Sequence, residues 1–181
     1  QEALELKIRE RHMDLANTVA SDSGNFFVNI EKYLATFLYN YGVEKNDEAA
    51  LRGFLAPLLN QFTEFRVMSV FDDKGGTLFS MASAGEVAPA EIDQISGKVP
   101  AAKVLESKKV YYSEAFKLRG RKGLYMIIAL PFPDGKRVLS VEFSLDKLQK
   151  RFSGISVGRN GSVYLLDRTK RIIAWGGRKG F

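Results

Sequence analysis

Cysteine is absent from this chain, and histidine occurs once, at His12. The absence of cysteine excludes disulfides, thiolate metal sites and a cysteine nucleophile. A single histidine leaves almost no material for zinc binding or for serine–histidine catalysis. His12 falls within a helical pattern, where a surface or packing role explains it better. We therefore predict that the domain is not an enzyme and that it has no metal site and no cofactor.

Long hydrophobic runs are also missing. No window reaches about 18 consecutive apolar residues, the length that a membrane-spanning helix needs, and the N-terminus has no secretory signal pattern. Because the chain begins inside a helical pattern, we expect that it is part of a longer protein.

The excess of positive charge is modest, since 27 Lys and Arg against 21 Asp and Glu give a net charge of +6. The basic residues gather in short clusters at 117–122, 168–171 and 178–179. Short charged runs of this kind are usually solvated loops, and weak attraction to an anionic membrane surface or an acidic ligand is the alternative. Nucleic-acid binders interleave such clusters with exposed aromatic side chains, so no nucleic-acid partner is predicted.

Apolar residues recur every three or four positions from residue 2 to residue 41, which predicts a long helix within 1–45. The pattern is interrupted at Ser21–Gly24, where a kink or a break is expected. A second helix follows, and Pro57 inside it leaves open whether it is one helix or two. We expect the second half of the long helix to dock on a sheet. The first half would project, or pack on a neighbouring module or chain.

After the second helix the hydrophobic period changes to two. Strands are predicted at 65–71, 77–81, 109–116, 124–132 and 137–143, with short helices at 89–95 and 100–105. This order predicts an α+β fold with a five-stranded antiparallel sheet, helices on one face and the long helix on the other. Two further strands, at 162–167 and 172–175, are too few for an independent domain. They either complete the first unit or begin a second one.

The last strand of the five carries Glu142 on the face opposite to its apolar side chains. If both faces of the sheet are covered, this carboxylate needs a partner or a raised pKa. It could bind a cationic or amide group of a ligand. The alternative is a salt bridge to Arg119, Arg121 or Arg66, because buried charges are usually paired.

Further candidate ligand-binding residues lie on or beside the same strands. They are Tyr111, Tyr112, Glu114, Arg119, Arg121 and Tyr125. The tyrosines would give an apolar wall with hydroxyl groups, although aromatic residues in strands more often belong to the core. The two arginines flank Gly120 and could hold a carboxylate with two hydrogen bonds, the alternative being an exposed loop. Glu114 is the second carboxylate that we expect near a pocket.

Four segments together resemble a double Cache domain, the PAS-like extracytoplasmic sensor domain of bacterial transmembrane receptors. They are the long first helix, the strand–turn–strand Val67–Ser80, the strand–turn–strand–helix Met126–Leu148 and the strand opening Gly158–Ala174. The resemblance implies a membrane-distal PAS-like module at 46–154 and the start of a truncated membrane-proximal module at 155–181. It further implies a periplasmic or extracellular location in a histidine kinase, chemoreceptor or diguanylate cyclase. We expect a homodimer formed through the N-terminal helix.

One departure from the family leaves the ligand class open. Its amino-acid-binding members carry an Arg-x-Trp-Tyr signature near the third strand and an aspartate in the last strand. Here Lys109–Tyr112 stands at the first place without a tryptophan, and Glu142 stands at the second. Two functions are therefore weighed, a small-molecule sensor and a PAS-like dimerisation or interaction module without a ligand. A cavity with converging polar groups favours the sensor, and a filled interior favours the interaction module.

Overall fold

The computed structural model describes residues 2–41, 47–83, 87–155, 157 and 161–177. Its helices are α1 Glu2–Tyr41, α2 Glu48–Gln61, α3 Pro89–Ser96, α4 Ala101–Ser107 and α5 Asp146–Ser153. Its strands are β1 Phe65–Phe71, β2 Thr77–Ala82, β3 Tyr111–Tyr112, β4 Tyr125–Pro131, β5 Val138–Ser144, β6 Ser162–Leu166 and β7 Ile172–Gly177. Within this described part, none of the helices is long and apolar enough to cross a membrane.

The chain divides into two compact units, and α1 contributes residues to both. The larger unit, residues 31–145, is built on a five-stranded sheet in the order β2-β1-β5-β4-β3. Every neighbouring pair of strands in it is antiparallel. The predicted α+β class, the long N-terminal helix and the five-stranded antiparallel sheet are therefore confirmed.

Helices cover both faces of this sheet. On one face, Ile95 of α3 and Ala101 and Val104 of α4 pack into clusters with strand side chains. On the other face, α2 lies against β1 and β2, and Phe37 near the end of α1 stacks on Phe54 of α2. β1 and β5 are consequently buried along almost their whole length, as expected for strands covered on both sides. The face under α3 and α4 is called the α3 face below.

The smaller unit comprises residues 1–30 and 146–181. In its described part, α5 lies against β7 of the β6–β7 hairpin. The side-chain amide of Gln149 donates to the Trp175 carbonyl and accepts from the Trp175 N–H. Whether this hairpin begins a second module stays a prediction, as do the domain bounds 1–45, 46–154 and 155–181.

Neither helix is broken at the positions where the sequence suggests a break. α1 runs through Ser21–Gly24 without a break, and the Ser23 hydroxyl donates to the Val19 carbonyl at 2.7 Å within the helix. One glycine in a helix costs only about 1 kcal/mol relative to alanine. α2 likewise continues through Pro57, whose exposed position lets water reach the carbonyl that loses its backbone donor.

The third strand is much shorter than the predicted 109–116. Only Tyr111 and Tyr112 pair with β4, and Phe116 forms an isolated bridge further along. The ladder ends at Ser113, whose hydroxyl accepts the Ile127 N–H at 2.8 Å in place of a backbone carbonyl. A serine side chain thus competes with regular strand pairing here.

Gly176 of β7 lies directly against the end of α5. A Cβ added there would stand 1.8 Å from the carbonyl oxygen of Phe152. Replacing Gly176 by alanine should therefore push α5 away from β7 and lower the free energy of unfolding by about 1–3 kcal/mol, measured by urea denaturation. Gly24→Ala in α1 is the control, because nothing lies within 4 Å of that position and alanine should stabilise the helix by about 1 kcal/mol. Equal effects of the two substitutions would contradict this account.

Candidate functional site

A bulge in β1 brings Arg66 to the α3 face. In the pairing of β1 with β5, Phe65 lies opposite Phe143 and Val67 lies opposite Glu142, so Arg66 is the extra residue between them. Strict alternation would have turned Arg66 to the other face of the sheet. Instead, its Nη1 donates to Oε1 of Glu142 at 2.7 Å. Of the three arginines considered as partners of Glu142, Arg66 is the one that pairs with it.

Arg66 also joins β1 to a helix and to a neighbouring strand. Its Nη2 donates to Oε1 of Glu91, in the first turn of α3, at 2.6 Å. Its guanidinium lies 4.6 Å from the ring centre of Tyr125 on β4. Arg121 stands further out, with its Nε 3.8 Å from Oε1 of Glu91. These five residues, Arg66, Glu91, Arg121, Tyr125 and Glu142, are called the Glu142 cluster.

Burial controls the ionisation of this cluster. The side chain of Glu142 is 0% exposed and that of Arg66 is 6% exposed. Burial raises the pKa of Glu142 to about 7, with a further rise from the charge of Glu91, and the guanidinium groups of Arg66 and Arg121 only partly oppose it. Burial alone would lower the pKa of Arg66, but its bond to Glu91 and the charge of Glu142 raise it, so Arg66 stays a cation.

One carboxylate oxygen of Glu142 makes no hydrogen bond with the described residues. Its Oε2 is buried and has no hydrogen-bond partner among the described residues. A buried acceptor without a partner costs about 1–3 kcal/mol. A group of this kind needs an explanation, and a donor supplied by a bound molecule is one.

Serine hydroxyls continue the polar surface along the same face. Ser140 lies two residues before Glu142 on β5 and opposite Ser69 of β1, which in turn lies opposite Ser80 of β2. The hydroxyls of Ser69 and Ser80 are 2.7 Å apart, and that of Ser96 at the end of α3 is 3.1 Å from Ser69. We call Ser69, Ser80 and Ser96 the serine cluster. Together with Glu142 it can accept and donate hydrogen bonds beneath α3.

The structure brings some of the candidate residues from the sequence together and separates others. Tyr125 and Arg121 belong to the Glu142 cluster. Tyr111 lies opposite Ala129, which is opposite Ser140, so it shares the α3 face. Arg119 and Glu114 are exposed.

Tyr112 points to the other face of the sheet. Its hydroxyl donates to Oε2 of Glu31 on α1 at 2.6 Å. Burial, and then this hydrogen bond, raise the pKa of Tyr112 above its usual range. Tyr112 therefore holds α1 to the sheet, which is a different position from that of the Glu142 cluster.

Sequence reasoning missed Glu91 and the serine cluster, and considered Arg66 only as one possible ion-pair partner. A signal for Arg66 was available, since it is the one charged residue in the otherwise uncharged strand Phe65–Phe71. Glu91 resembles an ordinary acidic residue in the first turn of a helix. The serine cluster joins three segments, and only the pairing of β1 with β2 and the position of α3 bring them together.

Comparison with known proteins agrees with this architecture. No family model matches the chain. The methyl-accepting chemotaxis protein TlpA of Bacillus subtilis is 21% identical over 123 residues, which cover 64% of this chain and 19% of that protein. The chain thus spans only a small part of that relative's length.

Solved structures match a larger share of this chain, at lower sequence identity. The ligand-binding domain of the Pseudomonas aeruginosa amino acid chemoreceptor PctC, in complex with GABA, matches with a TM-score of 0.71 at 13% identity, covering 91% of this chain and 74% of that one. The ligand-binding domain of Campylobacter jejuni Tlp3 with L-valine matches with a TM-score of 0.68 at 14% identity, covering 95% of this chain and 72% of that one. The ligand-binding domain of Pseudomonas fluorescens CtaA with L-isoleucine matches with a TM-score of 0.66 at 14% identity, covering 96% of this chain and 70% of that one. The chain therefore has the fold of chemoreceptor ligand-binding domains, and its resemblance to the double Cache sensor domains is confirmed in its fold.

Proposed function

We propose that this chain is the extracytoplasmic small-molecule sensing domain of a membrane-bound signal-transduction receptor. The observation that carries the proposal is the buried oxygen Oε2 of Glu142, which lies without a partner on the α3 face of a fold used by ligand-binding domains. The receptor would be a chemoreceptor, a histidine kinase or a diguanylate cyclase. Residues 46–154 would form the membrane-distal module, 155–181 would open the next one, and the location would be periplasmic or extracellular.

The mechanism follows from the burial of Glu142. Because its side chain is 0% exposed, a ligand reaches it only when an element above it moves. α3 is the candidate, since Ile95 is its only fully buried side chain and polar contacts of Glu91 and Ser96 hold both its ends. A ligand that binds beneath α3 would favour one of two arrangements of this helix.

The change would then be passed to α1. β3 is joined to α1 by the hydrogen bond between Tyr112 and Glu31. α1 continues from the larger unit into the smaller one as a single helix of 40 residues. Displacements of one or two ångströms of a helix are a common form of receptor switching.

A second candidate function is a PAS-like dimerisation or interaction module without a small ligand. The pairing of Glu142 Oε1 with Arg66 favours it, because an internal partner already fills part of the interior. Either function is compatible with a homodimer through α1, since the described side chains in its first half include the exposed apolar residues Leu6, Ile8 and Met13. The homodimer is part of our proposal in both cases.

Thermal-shift measurements with amines, small carboxylates and purines test the sensing function. A ligand present at about 100 times its dissociation constant stabilises a protein by about 2.7 kcal/mol. For a chain of this size that corresponds to a rise in Tm of about 5–10 °C, dependent on ligand concentration.

The site is tested by two matched variants. Glu142→Gln should abolish or reduce the rise in Tm, and Glu106→Gln, which changes an exposed carboxylate of α4, should leave it unchanged. A flat response of the wild type to every class of compound would favour the interaction module over the sensor.

A further inference from the structure

We propose that Glu91 determines the specificity of this site: by occupying Arg66 it excludes ligand carboxylates, and it leaves Glu142 Oε2 to receive the protonated nitrogen of an amine. The inference rests on the proposed sensing function and names its ligand class, a cationic amine with a short apolar body and no carboxylate.

Arg66 is the cation in direct contact with Glu142, and Arg121 stands further out with a side chain that is 34% exposed. Both terminal nitrogens of Arg66 already donate to protein carboxylates, Nη1 to Glu142 and Nη2 to Glu91. Its Cζ also lies over the ring of Tyr125, 4.6 Å from the ring centre. Its single positive charge is thus faced by two negative ones at 2.7 Å and 2.6 Å. A ligand carboxylate would have to displace one of these, or lie beside them unpaired.

The remaining hydrogen-bonding capacity favours a donor. Oε2 of Glu142 is buried without a partner among the described residues, and a carboxylate oxygen only accepts. The serine cluster lies on the same face, where Ser69 is opposite Ser140, and its hydroxyls would bind a second polar group of the ligand. Apolar side chains of the surrounding cluster would pack against the body of the ligand: Val67, Ile95, Leu118 and Ile127.

Proton binding should compete with the amine. The charged and titratable groups that face Glu142 are Arg66 of β1, Glu91 of α3, Arg121 of the loop between β3 and β4, and Tyr125 of β4. Burial raises the pKa of Glu142 to about 7, and a protonated carboxyl cannot pair with a cation. The affinity for an amine should therefore fall up to about tenfold per pH unit as the pH drops from 7 towards 5.

Matched pairs of compounds test the selectivity on the whole chain. Each pair shares one apolar body: isobutylamine with 3-methylbutanoate, benzylamine with phenylacetate, and butylamine with pentanoate. At least one amine should raise Tm with a dissociation constant at least ten times lower than that of its acid, measured by calorimetry at pH 7.5. L-Valine should bind more weakly than isobutylamine.

Two variants separate the roles of the carboxylates. Glu91→Gln frees Nη2 of Arg66 from its ionic partner and should gain binding of the paired acid and of L-valine by about tenfold or more. Glu142→Gln should lose the amine by about tenfold or more. Glu106→Gln should behave as the wild type, and circular dichroism checks that each variant is folded.

Other outcomes would overturn the inference in distinguishable ways. A wild-type chain that binds an acid or L-valine as tightly as the paired amine disproves the selectivity, and ligand sensing stands. If only purines from the wider screen bind, the amine selectivity is likewise disproved and ligand sensing stands. If no compound of any class binds, the inference and the proposed function fall together.

Discussion

Arg66→Ala should lower the free energy of unfolding by about 3–5 kcal/mol at pH 8. The substitution removes the cation from between two carboxylates, one of which has a side chain that is 0% exposed. At pH 8 most Glu142 side chains are ionised, because their pKa with Arg66 present is about 7. Without Arg66 the pKa of Glu142 rises further, so at pH 8 the carboxyl must either stay charged without its cation or keep a proton that the unfolded chain has lost, and both are costly. At pH 5 the carboxyl of Glu142 is protonated in the folded state, so the cost should be clearly smaller.

Urea denaturation at the two pH values measures this effect. Arg119→Ala is the matched control, since Arg119 is exposed and its removal should change the free energy of unfolding by no more than about 0.5 kcal/mol. The double variant Arg66→Met with Glu142→Leu should recover most of the loss, because an apolar pair of similar volume can replace a buried ion pair. A cost of Arg66→Ala at pH 8 as small as that of Arg119→Ala would contradict the described network.

The Glu142 cluster shows which contacts could be predicted from the sequence and which could not. Alternation along β5 correctly predicted that Glu142 lies on the face opposite to the apolar side chains of that strand, because β5 pairs regularly with β4. The same rule failed for Arg66, since a bulge adds one residue to β1 and a bulge has no clear signature in a single sequence. The partner of Glu142 could therefore be narrowed to three arginines, and only the strand register decides between them.

The other contacts of Arg66 could not be predicted, because they join segments that are far apart in the chain. Glu91 is 25 residues from Arg66, and Glu142 is 76 residues from it. Hydrophobic periodicity predicts helices and strands but gives no distance between them. The order of elements was sufficient for the fold, because antiparallel strands and covering helices leave few arrangements. The third strand was predicted too long because the side-chain hydrogen bond of Ser113, which ends it, depends on the position of Ile127.

Glu142 should make the stability of the folded chain fall as the pH rises from about 4.5 to about 7. In the unfolded chain its pKa is the ordinary 4.5, and in the folded chain burial raises it to about 7. Between these values the folded state keeps a proton that the unfolded state has lost, so raising the pH favours unfolding. The contribution is fully present below pH 4.5 and is lost above pH 7. Its size is roughly 3 kcal/mol, at about 1.4 kcal/mol for each unit of pKa.

Glu142→Gln should remove this dependence, because glutamine stays neutral like the protonated acid. Contributions of all other groups cancel in the difference between wild type and variant. Urea denaturation of both at pH 5, 6, 7 and 8 should give a difference that grows in favour of the variant, up to roughly 3 kcal/mol at pH 8. Glu106→Gln, in which the lost carboxylate is exposed, should follow the wild type at every pH. Parallel curves for wild type and Glu142→Gln would contradict the raised pKa, because Glu142 would then be ionised in the folded state throughout this range.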